Sequence, residues 1–165
     1  MYLMGQPQRT NENVNLLWGT FTWILFHWMS QQIKEEYFAS ERNQLVKFVV
    51  EICRNLPCPS CREHAQQYLK SVPIIHINNK NDFINYIYHF HNSVNIRGKK
   101  GYQPYSIMEK YEKVNFSLLI ASWNARFVYG NDIQRNDFMA KKRLSALKRE
   151  VNTYFTENAH KFLMS

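Results

Sequence analysis

The chain has little cysteine: three in 165 residues. That is too few for a small scaffold held by several disulfides in place of a core. No apolar run approaches the length of a membrane span. Residues 1–13 are mostly polar, ending in Arg9-Thr10-Asn11-Glu12-Asn13, and read as no signal peptide. These absences lead us to expect a soluble protein of the cytoplasm, and they make the sequon Asn115-Phe116-Ser117 a chance match. Strand signals are nearly missing, as are internal repeats and low-complexity tracts, so the expected fold class is all-α. Acidic residues are outnumbered, 13 Asp plus Glu against 21 Lys plus Arg, for a net charge of +8. Such an excess suits nucleic acid, an acidic membrane or an anionic cofactor, and it equally describes a solvated basic surface. What the chain does have is 45% hydrophobic and 15% aromatic residues, enough for one domain with a real core. The aromatic share points either to a ring-rich core or to a stacked planar ligand.

Two of the cysteines lie two residues apart in Leu56-Pro57-Cys58-Pro59-Ser60-Cys61-Arg62-Glu63-His64. A Cys-x-x-Cys pair serves as a redox disulfide, as half of a metal site, or as neither. Pro57 and Pro59 suit a helix mouth, where a missing N–H costs nothing, and Arg62 to Lys70 reads as the helix that follows. The pair therefore falls in a first turn, where the helix dipole and Arg62 favour a thiolate. These surroundings favour the redox role.

Taken in order, residues 1–13 read as a loose leader. Leu16 to Met29 is apolar on nearly every face and predicts a largely buried helix, on which Trp23 and His27 are neighbours. By itself His27 reads equally as a hydrogen-bonded core histidine. Ser40 is placed to cap a second helix running to about Leu56, with Leu45, Phe48, Val49, Ile52 and Leu56 as its buried stripe. Cys53, beside that stripe, reads as a small core residue, too far along a regular helix to bond Cys58. The third helix, opened by the cysteine pair, ends near Ser71-Val72-Pro73. Ile74 to Ile77 reads as extended and Asn78 to Asn81 as loop.

Asn81 or Asp82 caps a fourth helix. Its stripe is Phe83, Tyr86, Ile87, Phe90 and Val94, and Ile84, Tyr88, His91 and Asn95 share the adjoining face. Gly98 ends it, among the basic Arg97, Lys99 and Lys100. Ser106-Ile107-Met108-Glu109 has the capping-box pattern of a fifth helix. A further helix covers about Val114 to Tyr129, with Leu118, Leu119, Trp123 and Phe127. Gly130-Asn131-Asp132 is a turn that closes the unit 14–130. The extension 131–165 carries a basic amphipathic helix, about Asp137 to Met164, with Leu144, Leu147, Val151, Tyr154 and Phe162 on one face and Lys141, Lys142, Arg143, Lys148 and Arg149 on the other. That helix packs on the body or on a second subunit, or serves a membrane surface or nucleic acid.

Three features thus follow one another: Trp23…His27, Cys58…Cys61 and His91-Asn92-Ser93-Val94-Asn95…Lys100. Rings, imidazoles, an amide, ammonium groups and a redox pair suit a planar anionic redox cofactor better than a metal. These residues resemble the Erv/ALR flavin-dependent sulfhydryl oxidases, whose pattern is Trp-x-x-x-His, then Cys-x-x-Cys, then His-Asn-x-Val-Asn followed by Lys. Trp18-Gly19 and Leu56-Pro57 look like the short members found in large cytoplasmic DNA viruses, and the resemblance covers about residues 14–115. It implies a four-helix bundle with a short fifth helix, to which this chain adds a C-terminal helical extension. It also implies FAD at one end of the bundle, usually a homodimer, and a thiol oxidase reaction in which a dithiol and O2 give a disulfide and H2O2. Carried over by position, Cys61 lies against the isoalloxazine and Cys58 exchanges with the incoming thiol. Trp23, His27, His91, Asn95 and Lys100 contact the cofactor, Gly19 lets the backbone approach it, and Tyr68, Val94 and Tyr105 pack on it. A viral assembly site or the virion is the location the resemblance suggests.

The chain departs from the family in having only Cys53 to spare, so one subunit has neither a shuttle disulfide nor a structural one. The implied partner is then a thiol-containing redox protein, with its own Cys-x-x-Cys, that reaches Cys58 directly. Nucleic acid and a membrane span are not required. The main rival is a zinc-binding structural module using Cys58, Cys61 and two of His64, His89 and His91, although His89 and His91 point to different faces of a helix. A thioredoxin-like enzyme requires a βαβ pattern near the pair, which is missing.

Overall fold

A computed structural model describes residues 11–129 and 136–163, with side chains from Trp18 onward. The expected turn at Gly130-Asn131-Asp132 and most of the expected leader lie outside the described residues. Six α-helices are described: α1 Asn11–Gln32, α2 Glu35–Arg54, α3 Pro59–Ser71, α4 Lys80–Arg97, α5 Phe116–Arg126 and α6 Phe138–Glu157. Two 3-10 segments, Ile74–His76 and Tyr105–Tyr111, lie between helices, and a third, Ala159–Lys161, follows α6. The only strand-like pairing among the described residues is one bridge between Ile33 and Phe162, so the fold is all-α. No helix among these residues is long and apolar enough to cross a membrane.

Helix α1 is the axis of the fold, because its faces are apolar almost all round. Leu25, Phe26, Trp28, Met29 and Ile33 in or just beyond it are buried. The Trp23–His27 face meets α4, where Trp23 lies edge-on to Phe90 and flat on His91. A second face meets α5, where the Trp123 indole donates to Thr22 Oγ1 at 3.3 Å and Trp18 lies edge-on to Phe127. Trp28, fully buried, stacks on Phe116 and Phe162 and meets Phe155 edge-on. The C-terminal helix is therefore packed on the body. Its buried face is Leu144, Leu147, Val151 and Phe155. The Lys161 ammonium pairs with Glu41 at 2.5 Å, and the Tyr154 hydroxyl donates to the same carboxylate at 2.7 Å.

Several helix ends differ from the sequence reading, each for a local reason. Helix α1 already includes Asn11 to Asn13, part of the stretch read as leader, since polar residues there give no hydrophobic signal yet do not oppose a helix. Helix α2 starts at Glu35, not at Ser40. Two glutamates in its first turn meet the positive end of the dipole, and the Ser40 hydroxyl donates instead to the Tyr37 carbonyl at 3.0 Å. Helix α4 is capped by Asn79, whose side chain accepts from Asp82 N at 2.8 Å, rather than by Asn81 or Asp82. Ile74 to His76 is a 3-10 turn, not an extended run. The expected fifth helix at Ser106 is a 3-10 segment opening on Pro104, which has no capping side chain. Asn115 caps α5 by accepting from Leu118 N at 3.0 Å.

The stripe on α2 is buried as expected, whereas Val94 on α4 and Leu118 on α5 are exposed. Gly98 does close α4, but the left-handed residue is Lys99, at φ 56°.

Candidate functional site

Pro59 opens α3 and leaves Cys58 as its N-cap residue, with the Cys61 amide donating to Cys58 Sγ at 3.3 Å. The sulfur thus lies at the end of the helix where unpaired amides and the dipole favour negative charge. Cys58 and Cys61 are joined as a disulfide, with Cα atoms 5.1 Å apart. Both are half-buried and pack at the margin of the main core, while Pro59, Ser60 and Glu63 are exposed. Arg62 reaches back to donate to the Leu56 carbonyl at 2.5 Å and so braces the turn before the pair. Tyr129 donates to Asn55 Oδ1 at 3.2 Å on the same turn. Cys53 is buried and free, and burial pushes its thiol far above the ordinary range, so it is inert at neutral pH.

A ladder of rings runs from α3 into the bundle. Tyr68, two helical turns beyond Cys61 on a similar face, stacks on Phe90 at 4.4 Å. Phe90 meets Trp23 edge-on at 5.1 Å. Trp23 stacks on His91 at 4.2 Å, with planes only 5° apart. His91 Nδ1 is hydrogen-bonded to His27 Nε2 at 2.9 Å, and Tyr111 stacks on His27 at 4.1 Å.

Beyond this ladder opens a cavity of about 190 Å³ lined by His27, Tyr88, His91, Asn92, Asn95, Lys100, Gln103, Ile107, Lys110 and Tyr111. Three of the four residues read as sharing a face of α4, Tyr88, His91 and Asn95, line the cavity. Two lysines and no carboxylate line it. Burial, followed by the charge of His91 and of Lys110, lowers the His27 pKa from 6.5 to about 3. Burial, then Lys110 and Lys100, lowers that of His91 to about 4. Both rings are therefore neutral at physiological pH. His27 Nδ1 is buried and has no hydrogen-bond partner in the protein. A buried polar atom left so costs about 1–3 kcal/mol, and a bound polar group would relieve it.

Of the residues singled out in the sequence, four line the cavity together: His27, His91, Asn95 and Lys100. Trp23 borders it through its stack on His91. Cys58, Cys61, Gly19, Tyr68, Val94 and Tyr105 are not among the lining residues. Tyr105 is half exposed and meets Tyr88 edge-on. A Cβ added at Gly19 would meet nothing within 4 Å, so the folded chain by itself does not need glycine there.

Sequence reasoning missed Lys110 and Tyr111, which arrive on a 3-10 segment with no periodic signal of its own. It also missed the work of Asn92. The Asn92 amide donates to the Gln103 carbonyl at 3.1 Å and accepts from Gln103 N at 2.8 Å, and the Tyr88 hydroxyl donates to that same carbonyl at 2.7 Å. These bonds clamp the loop after α4 onto the helix. Tyr88 and Asn92, four residues apart and so neighbours on one helix face, were the available clue.

The geometry of the zinc rival is not realised. Its two cysteines are bonded to each other, His89 is exposed, and His91 is paired with His27. Among the described residues no group of three or more His, Cys, Asp or Glu is placed to hold a metal ion.

Comparison with known proteins identifies the family. The model of the Erv1 / Alr family matches residues 20–114. A FAD-linked sulfhydryl oxidase of African swine fever virus is 32% identical over 85 residues, covering 52% of this chain and 71% of the relative. A putative FAD-linked sulfhydryl oxidase of Invertebrate iridescent virus 6 is 30% identical over 100 residues, covering 57% of this chain and 90% of the relative. A probable FAD-linked sulfhydryl oxidase of Fowlpox virus is 32% identical over 73 residues, covering 44% and 68%. No solved structure matches the chain significantly. The matched segment holds the disulfide, the ring ladder and every residue lining the cavity, and the chain belongs to the Erv1/Alr family.

Proposed function

We propose that this chain is a FAD-dependent sulfhydryl oxidase that makes disulfides in a partner protein and passes the electrons to O2. The observation that carries the reading is the Cys58–Cys61 disulfide at the mouth of α3, in a chain of this family. The basic cavity beside the ring ladder supports it. An orphaned His27 Nδ1, neutral imidazoles, the Asn95 amide and the ammonium groups of Lys100 and Lys110 fit a planar group with phosphates. Trp23, His27, His91, Asn95 and Lys100 would hold FAD, with Lys110 and Tyr111 as further contacts. When bound, FAD supplies acceptance of two electrons from a dithiol and their transfer to O2, which no side chain performs readily.

The chain's own part is thiol–disulfide exchange. A substrate thiolate attacks Cys58, the sulfur to which the family resemblance gives the exchange, and Cys61 leaves as a thiolate. The second substrate thiol then attacks the mixed disulfide, which releases Cys58 and frees the substrate's new disulfide. Two electrons and two protons leave the substrate and stay on the cysteine pair until the cofactor takes the electrons. With Cys53 buried, no second pair relays electrons within the subunit, so the partner is read as a small redox protein with its own Cys-x-x-Cys. The catalytic unit is read as residues 14–130, with 131–165 as its helical extension. Homodimeric assembly and a cytoplasmic, virus-associated setting are carried over from the family resemblance and the viral relatives, and sedimentation of the purified protein checks the first.

The test is oxygen uptake with a dithiol, with and without added FAD. We expect yellow protein and FAD-dependent uptake. Cys58→Ser and Cys61→Ser should each abolish turnover, while Cys53→Ser keeps it. Colourless protein that cannot take up FAD, or oxidase activity surviving the loss of Cys58 or Cys61, refutes the assignment.

A further inference from the structure

One residue between the two cysteines is itself in contact with a reacting atom. Ser60 is exposed on the first turn of α3, and its Oγ lies 3.3 Å from Cys58 Sγ. A disulfide sulfur has no hydrogen to give, so in the oxidised protein the hydroxyl is the donor. The same sulfur receives the Cys61 amide at 3.3 Å. Two donors thus converge on Cys58, and the backbone donor alone is common to any residue capping this helix.

We propose that Ser60 is a thiolate-stabilising residue for Cys58, acting when Cys58 is the leaving group; this rests on the oxidase reading above. A neutral disulfide sulfur is a weak acceptor, whereas a thiolate is a strong one. The Ser60 bond is therefore worth little in the resting enzyme and gains strength as charge forms on Cys58. That is the condition for lowering a barrier rather than merely holding a ground state. The step is resolution of the mixed disulfide. The second substrate thiolate, R′S⁻, attacks the substrate sulfur of RS–S(Cys58), an RS–SR′ bond forms, and the S–S bond to Cys58 breaks with its electron pair staying on Cys58 Sγ. No further oxidant or reductant takes part. A lower thiolate energy makes Cys58 a better leaving group.

The charged groups adjoining Cys58 in the chain are Arg62 and Glu63 on α3 and Arg54 at the end of α2. Arg62 is held to the Leu56 carbonyl and Arg54 to Glu51 at 2.7 Å. All are retained in the variants below, so a difference between variants isolates the hydroxyl.

The experiment uses the full chain carrying Cys61→Ala, which leaves Cys58 as the one titratable thiol near the surface, since Cys53 is buried and inert. The ultraviolet absorbance of its thiolate is titrated with Ser60, Ser60→Ala and Ser60→Thr. We expect Ser60→Ala to lower the thiolate population at neutral pH roughly three- to tenfold, the scale of one solvent-exposed hydrogen bond, and Ser60→Thr to restore it. Circular dichroism of the three proteins should be the same. In the intact Cys58–Cys61 enzyme, Ser60→Ala should slow resolution of a mixed disulfide in the same order. An unchanged thiolate midpoint in Ser60→Ala, or failure of Thr to restore a shifted one, overturns the proposal. The titration needs neither FAD nor O2, so its failure is distinct from a failure of the oxidase reading.

Discussion

His27 and His91 form a pair of imidazoles that the fold keeps uncharged. Their pKa values drop from 6.5 to about 3 and about 4, chiefly through burial, and then through His91 and Lys110 for His27 and through Lys110 and Lys100 for His91. An unfolded chain takes up these protons below about pH 6.5 while the native chain does not. The stability that the neutral pair contributes is therefore complete above that pH. It is lost as pH falls towards 4 and then 3, with a slope of up to about 1.4 kcal/mol per pH unit per group. Denaturant unfolding measured between neutral and mildly acidic pH should show this loss, and His91→Gln should flatten it. A slope as steep in the variant as in the parent would mean that other groups govern acid stability. At the same scale Cys53 is a packing residue, and Cys53→Ser should cost stability, about 1–3 kcal/mol for a hydroxyl buried without a partner, without touching turnover.

Helix ends decide how the cavity is closed. The turn after α4 places a lysine, not the neighbouring glycine, at positive φ: Lys99 at 56° while Gly98 stays at −74°. That backbone lets Lys100 N bond the Asn95 carbonyl at 2.8 Å and leaves Lys100 lining the cavity. A side chain in the left-handed region carries a steric cost of about 1–2 kcal/mol, part of which a glycine offsets by its own loss of freedom. Lys99→Gly should therefore raise stability by about 0.5–1 kcal/mol in denaturant melts. Gly98→Ala should lower it, because its Cβ would come within 3.3 Å of the Val94 carbonyl oxygen. Asn92 clamps the next stretch. Asn92→Ala removes both of its bonds to Gln103 and should cost about 1–3 kcal/mol, with weaker retention of flavin as the loop loosens. Unchanged flavin affinity in a folded Asn92→Ala protein would free the loop of any part in the site.

Across the whole molecule, the segment beyond the family match is part of the core rather than an appendage. Trp28 sits one residue after His27 on α1, yet it is covered by Phe116, Phe155 and Phe162 from the last two helices and the chain end. The chain end is also tied back by Lys34 N to the Lys161 carbonyl at 2.9 Å and by Leu163 N to the Gln32 carbonyl at 2.7 Å. Phe162→Ala, at a residue only 2% exposed, should cost about 3–5 kcal/mol in equilibrium unfolding. Removal of residues 137–165 should leave Trp28 and Phe48 uncovered and the protein prone to aggregation on expression. A truncated chain with the parent's melting temperature would show the extension to be dispensable.

Much of this was legible in the residues themselves, because it is local. The stripe on α2, the helix opened by Pro59, the pair Cys58 and Cys61 in its first turn, and the face carrying His91 and Asn95 each follow from spacing along one helix. What spacing does not carry is the choice made between distant segments. His27 and His91 meet across 64 positions, and Lys110 and Tyr111 join them on a 3-10 segment without a periodic stripe. Val94 and Leu118 occupy apolar positions of their helices yet are exposed among the described residues. Periodicity states which side of a helix is apolar. Only the packing of one helix on another decides whether that side is buried, which side chains close a cavity, and which histidine stays neutral.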